Sequence, residues 1–267
     1  MSGFSAEWLA LREPYDHRAR NKAVLDAVLD ALDPTSVRIV DIACGTGSTF
    51  RALTPHLQAR QNWRLVDSDL SLLARTPPSS PPRVVITTVP TDLNRDLEGA
   101  LDGPLDLVTV SALLDLVSQD WLARFTVEAA ARRLPVYAAL SYDGRIELTP
   151  TDIADTPVLA AVNRHQRRDK GFGPALGPAA AQTALERFKR VGYAITHGAS
   201  DWTFGPRDRE IQLATLAGWA LAARETDELP VADVVDWLGR RRELVAAGRS
   251  SIRVGHLDLF ACPTTTR

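Results

Sequence analysis

Short apolar runs rich in β-branched residues recur along the first half of the chain, separated by segments whose apolar residues follow a helical period. The runs cover about residues 37–42, 62–67, 83–88, 105–110 and 135–142. Runs of this length bounded by turn residues are typical of buried strands, and the longer segments are typical of helices packed on a sheet. Since parallel strands need a crossover to return, the pattern predicts a parallel sheet with helices on both faces.

The two ends of the chain add elements to this repeat. Near the start, Ser5 can cap a short helix, Ala6–Glu13, that Pro14 ends. The other predicted elements are helices over about 18–32, 48–60, 121–133, 152–170, 178–191, 207–224 and 231–247, a sixth strand over 193–204 with an irregularity, and a last strand over 253–261. We expect one domain, because the Pro- and Ser-rich stretch 76–82 is too short to be a linker.

Charge and cysteine content exclude several classes of function. The 267 residues carry a net charge of −2, which argues against nucleic acid as a partner. Cys44 and Cys262 make neither a disulfide framework nor a zinc site, and are typical of buried thiols in a reducing compartment. No apolar run approaches the ~20 residues that span a bilayer, and no signal peptide is recognisable. We therefore expect a cytoplasmic protein without a membrane or metal partner.

The first strand leads into a glycine turn, Gly45-Thr46-Gly47, that opens the next helix. Glycine suits such a turn because a Cβ would restrict the backbone angles and would keep a ligand away from the main chain. The turn therefore predicts a nucleotide-like ligand. The dinucleotide fingerprint needs a third glycine three residues after the second, where this chain has Phe50, so a nicotinamide cofactor is disfavoured.

Around this turn, the sequence Asp41-Ile-Ala-Cys-Gly-Thr-Gly47 resembles the first motif of the class I S-adenosylmethionine-dependent methyltransferases, acidic-x-x-x-Gly-x-Gly. The resemblance implies S-adenosyl-L-methionine as cofactor and a Rossmann-like, seven-stranded α/β sheet, mostly parallel with the last strand antiparallel. In that family the glycine loop passes the methionine part of the cofactor, and the acidic residue supports it. We accordingly assign Asp41, Ala43, Gly45 and Gly47 to the cofactor site.

The second strand ends in an acidic residue, Asp67, about 20 residues after Gly45, a spacing that brings a carboxylate to the ribose of a ligand on the glycine turn. In the resembling family this acid binds the ribose hydroxyls, and Asp67, Ser68 and the residues up to Leu73 fit its pattern. Asp69 is the alternative ribose ligand, although the N-cap of the next short helix suits it better.

Two further strand ends match the resembling family. After the third strand, Asp92 and Leu93 fit the acidic and apolar pair that contacts adenine, with an Asx turn as the alternative. After the fourth strand, Ser111 begins the apolar loop that lies beneath the cofactor in that family. Enzymes that methylate amino groups of nucleic-acid bases carry an Asn/Asp-Pro-Pro-aromatic segment here, and its absence disfavours a flipped base as substrate.

Basic side chains are dense in residues 12–20, before the first strand. Many members of the resembling family fold an N-terminal helix over the cofactor, and Arg18 or Arg20 would hold its carboxylate, because an arginine fork pairs bidentately with a carboxylate. We assign Arg20 to the cofactor and Tyr15 to the substrate. A solvated, charged helix start is the alternative.

The acceptor site is predicted mainly after the fifth strand, where residues 163–170 form a polar cluster. Its basic residues indicate an anionic acceptor. The alternative is that they only interact favourably with the negative end of the helix dipole. We assign His165, Lys170 and Asp115 to the substrate. His165 is the candidate general base, with His17 as second choice, because an imidazole titrates near neutral pH.

These assignments predict an enzyme that transfers a methyl group from S-adenosylmethionine to a small-molecule acceptor. The alternatives are a same-fold enzyme that uses the sulfonium for cyclisation or carboxypropyl transfer, and a non-catalytic cofactor-binding module. We expect lid helices over 1–33, a cofactor-binding core over 34–150 and acceptor-side covers over 151–178 and 206–249. An insertion of about 45 residues before the last strand is unusually long, which favours a functional cover, with a homodimer contact as the alternative.

Overall fold

The computed structural model describes residues 4–80 and 82–264. Residues 1–3 of the predicted lid and Pro81 of the predicted loop lie outside the described residues. The strands are β1 (Ser36–Ile42), β2 (Arg60–Asp67), β3 (Val84–Pro90), β4 (Leu107–Ser111), β5 (Val136–Thr149), β6 (Tyr193–Ala199), β7 (Trp202–Phe204) and β8 (Ser251–Pro263). The helices are α1 (Ala6–Ala19), α2 (Lys22–Asp30), α3 (Ser48–Leu53), α4 (Leu70–Leu73), α5 (Leu97–Ala100), α6 (Gln119–Ala131), α7 (Asp155–His165), α8 (Ala180–Arg190), α9 (Arg209–Arg224) and α10 (Val231–Ala246).

The strands form one sheet in the order β3-β2-β1-β4-β5-β8-β6, with β7 paired to β8 beyond the end of β6. The five strands from β1 to β5 pair in parallel. β8 lies antiparallel between β5 and β6. The predicted fold class, a mostly parallel sheet with an antiparallel last strand, is confirmed.

The irregularity predicted in the sixth strand is a complete break between β6 and β7. The Ser200 amide donates to the carbonyl of His256 at 2.9 Å, whereas the His256 amide donates to Oδ1 of Asp201 at 3.1 Å. Because a side chain here takes the place of a backbone acceptor, the edge strand divides. The sheet of the described residues therefore has eight strands rather than the seven predicted.

Three buried apolar clusters pack the helices on the sheet. One fills the face covered by α5, α6 and α8, and a second fills the face covered by α2 and α3. The third lies where α7, α9 and α10 pack on the outer parts of β5 and β8. β5 reaches this cluster by bending at Leu140 and Gly144, where φ is 55° and 89° and its register with β8 shifts.

The helix boundaries near the N-terminus differ from the prediction. α1 continues through Pro14, because contacts on either side hold the helix in place, among them the ion pair of Glu13 with Arg51 at 2.5 Å. α2 begins at Lys22 instead of near residue 18, since Asn21 caps it by accepting from a backbone amide of the first turn.

Two predicted helices are shorter in the structure. α3 ends at Leu53 and is followed only by a 3-10 turn, Thr54–His56, that contains Pro55. α7 ends at His165, because the carboxylate of Asp169 then accepts from two loop amides and shapes a turn. Among the described residues, none of the helices combines the length and the apolar character needed to cross a membrane.

Candidate functional site

A cavity of about 740 Å³ opens at the carboxyl ends of the parallel strands. Open α/β sheets bind ligands at this edge, and small-molecule sites have volumes of roughly 300–1,000 Å³. One part of its wall, the cofactor side, consists of residues 43–46, 48–49, 67–69, 72, 91–93 and 111–113. A second part, which we name the acceptor side, includes Trp8, Arg12, Asp16, Asp115, Leu116, Tyr142, Val162, His165, Gln166, Lys170, Phe172, Trp202, Thr215, Trp219, Val254 and His256.

The glycine turn has left-handed backbone at Gly45 and Gly47, where φ is 55° and 84°. A Cβ on Gly45 would lie 3.2 Å from Cδ1 of Leu9 in α1 and would fill the narrow space between the turn and that helix. Gly45 lines the cavity, whereas Gly47 caps α3 and does not line it. The turn therefore offers its main chain to a ligand at Gly45.

Asp67 ends β2 and lines the cavity beside the glycine turn. Its Oδ2 accepts from the Gly45 amide at 2.8 Å, and its Oδ1 accepts from the Asp69 amide at 2.9 Å. An ionised carboxylate has about four acceptor positions, so both oxygens can still accept from a ligand hydroxyl. Asp69 instead caps α4 by accepting from the amides of Ser71 and Leu72, which confirms the N-cap role predicted for it.

Ser68, Asp92, Leu93 and Ser111 also line the cofactor side, where the prediction places them. Leu93 is buried and Asp92 is exposed. Oδ1 of Asp92 accepts from the Asn94 amide at 2.9 Å, so the Asx turn considered as the alternative does form. The turn holds Asp92 in place at the cavity wall, and the two interpretations are compatible.

Three residues other than glycine adopt left-handed backbone at the cavity wall. They are Ala43, Ala112 and Leu140, with φ of 53°, 50° and 55°. Such conformations cost on the order of 1–3 kcal/mol each and concentrate at functional sites. Their position around one cavity supports its assignment as the functional site. The sequence does not reveal them, because alanine and leucine normally favour right-handed backbone.

Asp41, predicted to support the cofactor, lies behind the cavity wall and does not line it. Its Oδ1 accepts from the hydroxyl of Thr109 at 2.7 Å, while Oδ2 is buried without a hydrogen-bond partner among the described residues. Burial raises the pKa of Asp41 to about 7. Its contact with a ligand could only be indirect, through the turn above it.

Tyr15, Arg20 and His17 do not line the cavity, so the ligand contacts predicted for Tyr15 and Arg20 and the base role considered for His17 stay predictions. The hydroxyl of Tyr15 donates to Asp208 at 3.0 Å and fastens α1 to the segment before α9. Nη1 of Arg20 donates to the Tyr137 hydroxyl at 3.2 Å, inside the protein. Nε2 of His17 lies 3.1 Å from a backbone carbonyl at the start of α3. Long-range contacts thus engage all three side chains.

Sequence reasoning missed Arg12, Asp16 and Trp202 on the acceptor side. Nε of Arg12 and Nε1 of Trp202 each donate to the carboxylate of Asp16 at 2.8 Å. The Arg12 guanidinium carbon lies 5.2 Å from the centre of the Trp202 ring, a cation–π geometry. The two terminal Nη atoms of Arg12 have no hydrogen-bond partner among the described residues. Arg12 therefore presents two free donors at the cavity.

His165 and Lys170, which the sequence assigns to the substrate, line the acceptor side. Nε2 of His165 lies 2.7 Å from Oε2 of Glu225, and Nδ1 lies 3.4 Å from Nζ of Lys170. Burial and the Lys170 ammonium lower the pKa of His165, and burial also lowers the pKa of Lys170. Because both ring nitrogens are engaged, the geometry does not favour His165 as a general base.

Asp115 and His256 are the other titratable groups of interest on the acceptor side. Asp115 is buried, its Oδ1 has no hydrogen-bond partner among the described residues, and burial raises its pKa to about 6. His256, which sequence reasoning missed, donates from Nδ1 to the Val254 carbonyl at 3.1 Å. Burial lowers the pKa of His256 to about 4, so its imidazole is neutral with Nε2 as an acceptor.

The helical insertion contributes Thr215 and Trp219 of α9 to the same wall. The sequence does not show that these two residues line a cavity, because both follow the ordinary pattern of an amphipathic helix. Within residues 4–80 and 82–264, no group of three or more His, Cys, Asp or Glu side chains is arranged to hold a metal ion.

Comparison with solved structures identifies the fold. The chain is similar to the cyclopropane synthase MmaA2 from Mycobacterium tuberculosis, with 14% identity, coverage of 97% of this chain and 94% of that one, and a TM-score of 0.51. A cyclopropane-fatty-acyl-phospholipid synthase-like protein from Lactobacillus casei gives 16% identity, 97% and 94% coverage, and a TM-score of 0.52. A candidate type II methyltransferase from Anaeromyxobacter dehalogenans gives 14% identity, 92% and 98% coverage, and a TM-score of 0.52.

No protein-family model and no curated protein matches the chain. At identities this low, similarity in structure is evidence for the fold alone. The chain therefore has the class I methyltransferase fold that the sequence resemblance implies.

Proposed function

We propose that this protein is an S-adenosylmethionine-dependent methyltransferase that acts on a small-molecule acceptor carrying an anionic group. The observation that carries the proposal is the meeting of Gly45, Asp67 and Asp92 in one cavity at the carboxyl edge of the sheet. Each residue follows a different strand, and together they present a main-chain turn and two carboxylates. The methyltransferase fold adds support.

The residues of the cofactor side fit the parts of S-adenosylmethionine. The two oxygens of Asp67 suit a pair of ribose hydroxyls, while Asp92 and Leu93 suit the amino group and ring of adenine. Gly45 lines the cavity without a side chain, so its main chain is open to the methionine part of the cofactor. When bound, this cofactor supplies an activated methyl group. The protein then has to hold the acceptor in line and exclude water.

The acceptor side supports a small anion as the second ligand. Arg12 presents two free Nη donors, and the Lys170 ammonium lies on the same wall. A guanidinium pairs bidentately with carboxylate or phosphate. Trp8, Trp202 and Trp219 line this side as well, and their rings both pack on an apolar ligand and keep water out. Such a wall suits a compact molecule with one apolar face and one anionic group.

We also assign α1 and α9 as covers of the cavity. Among the side-chain contacts that fasten α1 are those of Glu13 with Arg51 at 2.5 Å and of Asp16 with Trp202 at 2.8 Å. Both fastenings are side-chain contacts that could open without unfolding the sheet. A ligand could therefore enter by displacement of α1.

Calorimetric titration with S-adenosylhomocysteine, NAD and NADP tests the cofactor assignment. We expect binding of S-adenosylhomocysteine alone, weakened at least about tenfold by Asp67→Asn through the loss of charge-assisted hydrogen bonds. Asp69→Asn is the matched control, because asparagine also caps helices well and should leave the affinity unchanged. Binding of a nicotinamide cofactor, or of none of the three, would refute the proposal.

Methyl transfer itself requires a second experiment. The protein is incubated with methyl-labelled S-adenosylmethionine and a panel of hydroxy- and amino-substituted carboxylates and phosphates, and products are analysed by mass spectrometry. Label in an acceptor is the expected result. A product that carries a carboxypropyl group, or a cyclised product, would show that the protein uses the sulfonium for chemistry other than methyl transfer. Tight binding of S-adenosylmethionine without any product would indicate a binding module.

A further inference from the structure

Asp115 is a buried carboxylate on the acceptor side whose Oδ1 has no hydrogen-bond partner among the described residues. Buried polar atoms are nearly always paired, so an exception at a cavity wall points to a missing partner such as a ligand. Arg12, a cation near it, forms its ion pair with Asp16 instead. The carboxylate therefore keeps an acceptor position that the protein does not fill.

The backbone fixes the position of Asp115. Its carbonyl accepts from the Gly177 amide at 2.9 Å, and the amide of the next residue, Leu116, donates to Leu113 at 2.8 Å. The same loop begins with the left-handed Ala112. Because the loop is hydrogen-bonded on both sides of Asp115, the backbone holds this residue at the cavity wall.

Asp115 also lies where the two sides of the cavity meet. Ser111, Ala112 and Leu113 of its loop line the cofactor side, and Asp115 and Leu116 line the acceptor side. A group transferred from one ligand to the other has to pass this boundary. If the two ligands occupy these two sides, a carboxylate at the boundary lies near the place where the group is transferred.

We propose that Asp115 is the catalytic base, which accepts a hydrogen bond from an O–H or N–H group of the acceptor and removes that proton during transfer. This inference rests on the proposed function. The electron pair of the acceptor heteroatom forms the bond to the methyl carbon, the carbon–sulfur bond breaks with its electrons remaining on sulfur, and the proton moves to the carboxylate of Asp115. The neutral acid then returns the proton to water. The acceptor is accordingly a small anion that is methylated on a hydroxyl or amine.

The other titratable groups of the cavity suit this role less well. His165 has both ring nitrogens engaged, by Glu225 and Lys170. His256 is held neutral in the cavity, but burial lowers its pKa to about 4, which makes it a weak base. Burial instead raises the pKa of Asp115 to about 6, closer to neutral pH than an ordinary carboxyl, as suits a base.

Sinefungin tests the inference without a known acceptor, because it carries a protonated amino group at the position of the transferred methyl. S-adenosylhomocysteine has the same frame without that amine. If Asp115 faces the reacting position, its carboxylate should bind the amine, and sinefungin should bind at least about tenfold more tightly than S-adenosylhomocysteine. Asp115→Asn should remove this preference and leave the affinity for S-adenosylhomocysteine within about threefold. Asp120→Asn, an exposed change of the same charge, is the control and should keep the preference.

The possible outcomes separate the inference from the proposed function. A preference for sinefungin that Asp115→Asn abolishes and Asp120→Asn keeps supports the inference. Equal affinities of the two compounds for the wild type, or a preference that persists in Asp115→Asn, overturn it while leaving the cofactor assignment intact. If Asp115→Asn does not fold, the comparison of sinefungin with S-adenosylhomocysteine on the wild-type protein still tests the inference. Failure of both compounds to bind the wild type overturns the proposed function and the inference with it.

Discussion

Arg241 and Asp155 form a buried ion pair that joins the helical insertion to the start of α7. Nε of Arg241 donates to Oδ1 of Asp155 at 3.0 Å, and Nη2 donates to Oδ2. Nη1 donates to the Pro150 carbonyl at 2.6 Å, and Nε1 of Trp237 donates to Oδ1 of Asp155 at 2.8 Å. The side chain of Arg241 is fully buried. Each of these donors thus depends on the carboxylate or carbonyl that accepts from it.

Asp155→Asn should therefore cost about 3–5 kcal/mol of unfolding free energy, because it removes the hydrogen-bonded counter-charge of a buried guanidinium. The double variant Asp155→Leu, Arg241→Met should recover much of this loss, since apolar replacements of both partners are often nearly neutral. About 1–3 kcal/mol should remain, because the Pro150 carbonyl and the Trp237 indole lose their partners.

The assay is urea unfolding followed by tryptophan fluorescence and circular dichroism. Asp152→Asn is the matched control, because Asp152 pairs with Arg240 of the same helix α10, but the side chains of Arg240 and Asp152 are 46% and 14% exposed. A pair with one water-exposed partner should contribute less than the fully buried pair, about 1 kcal/mol. Equal losses in Asp155→Asn and Asp152→Asn would refute the reasoning, as would a double variant that is less stable than Asp155→Asn.

Two further variants test the backbone and the titration of the site. Gly45→Ala should lower the unfolding free energy by about 1–2 kcal/mol, because φ is +55° there, and should weaken S-adenosylhomocysteine binding in calorimetry. Gly239→Ala is the control and should be neutral or stabilising, because a Cβ added at this helical position would approach no other part of the protein within 4 Å. Equal effects of the two substitutions would contradict the steric argument. Burial lowers the pKa of His256 from 6.5 to about 4. Between pH 6.5 and about 4, His256 therefore binds a proton in the unfolded chain but not in the folded one, so the unfolding free energy should fall as the pH drops through this range. The loss of unfolding free energy due to His256 is roughly 3 kcal/mol. Urea unfolding of the wild type and of His256→Gln at about pH 7.5 and 4.5 measures it, and the variant should lack this loss. An equal loss in the two proteins would refute the role of His256.

The cofactor side could be predicted from the sequence because its residues are positioned by strand ends. Gly45, Asp67, Asp92 and Ser111 each follow a short apolar run, and the carboxyl ends of parallel strands meet at one edge. A local signal, namely the end of a strand, is therefore enough to bring four distant residues together. The same logic predicted the N-cap of Asp69, whose partners lie within the next turn.

The acceptor side could not be predicted in this way, because its contacts join residues far apart in sequence. Asp16 meets Trp202 across 186 positions, and Tyr15 meets Asp208 across 193. No helical or strand period encodes such pairs. Sequence reasoning found the right basic segment before the first strand, yet it selected Arg20 over Arg12, since only the tertiary contacts distinguish them.

The cofactor side is positioned by strand ends and the acceptor side by long-range contacts, so substitutions can change one side without the other. Thr215 and Trp219 of α9 shape the acceptor wall but make none of the contacts that hold Gly45 or Asp67. Substitutions in α9 can therefore alter the acceptor while cofactor binding is retained. Asp115 is different, because its loop contributes to both sides of the cavity and is hydrogen-bonded to Gly177. A change at Asp115 should affect the chemistry of transfer for every acceptor, whereas a change in α9 should affect which acceptor is used.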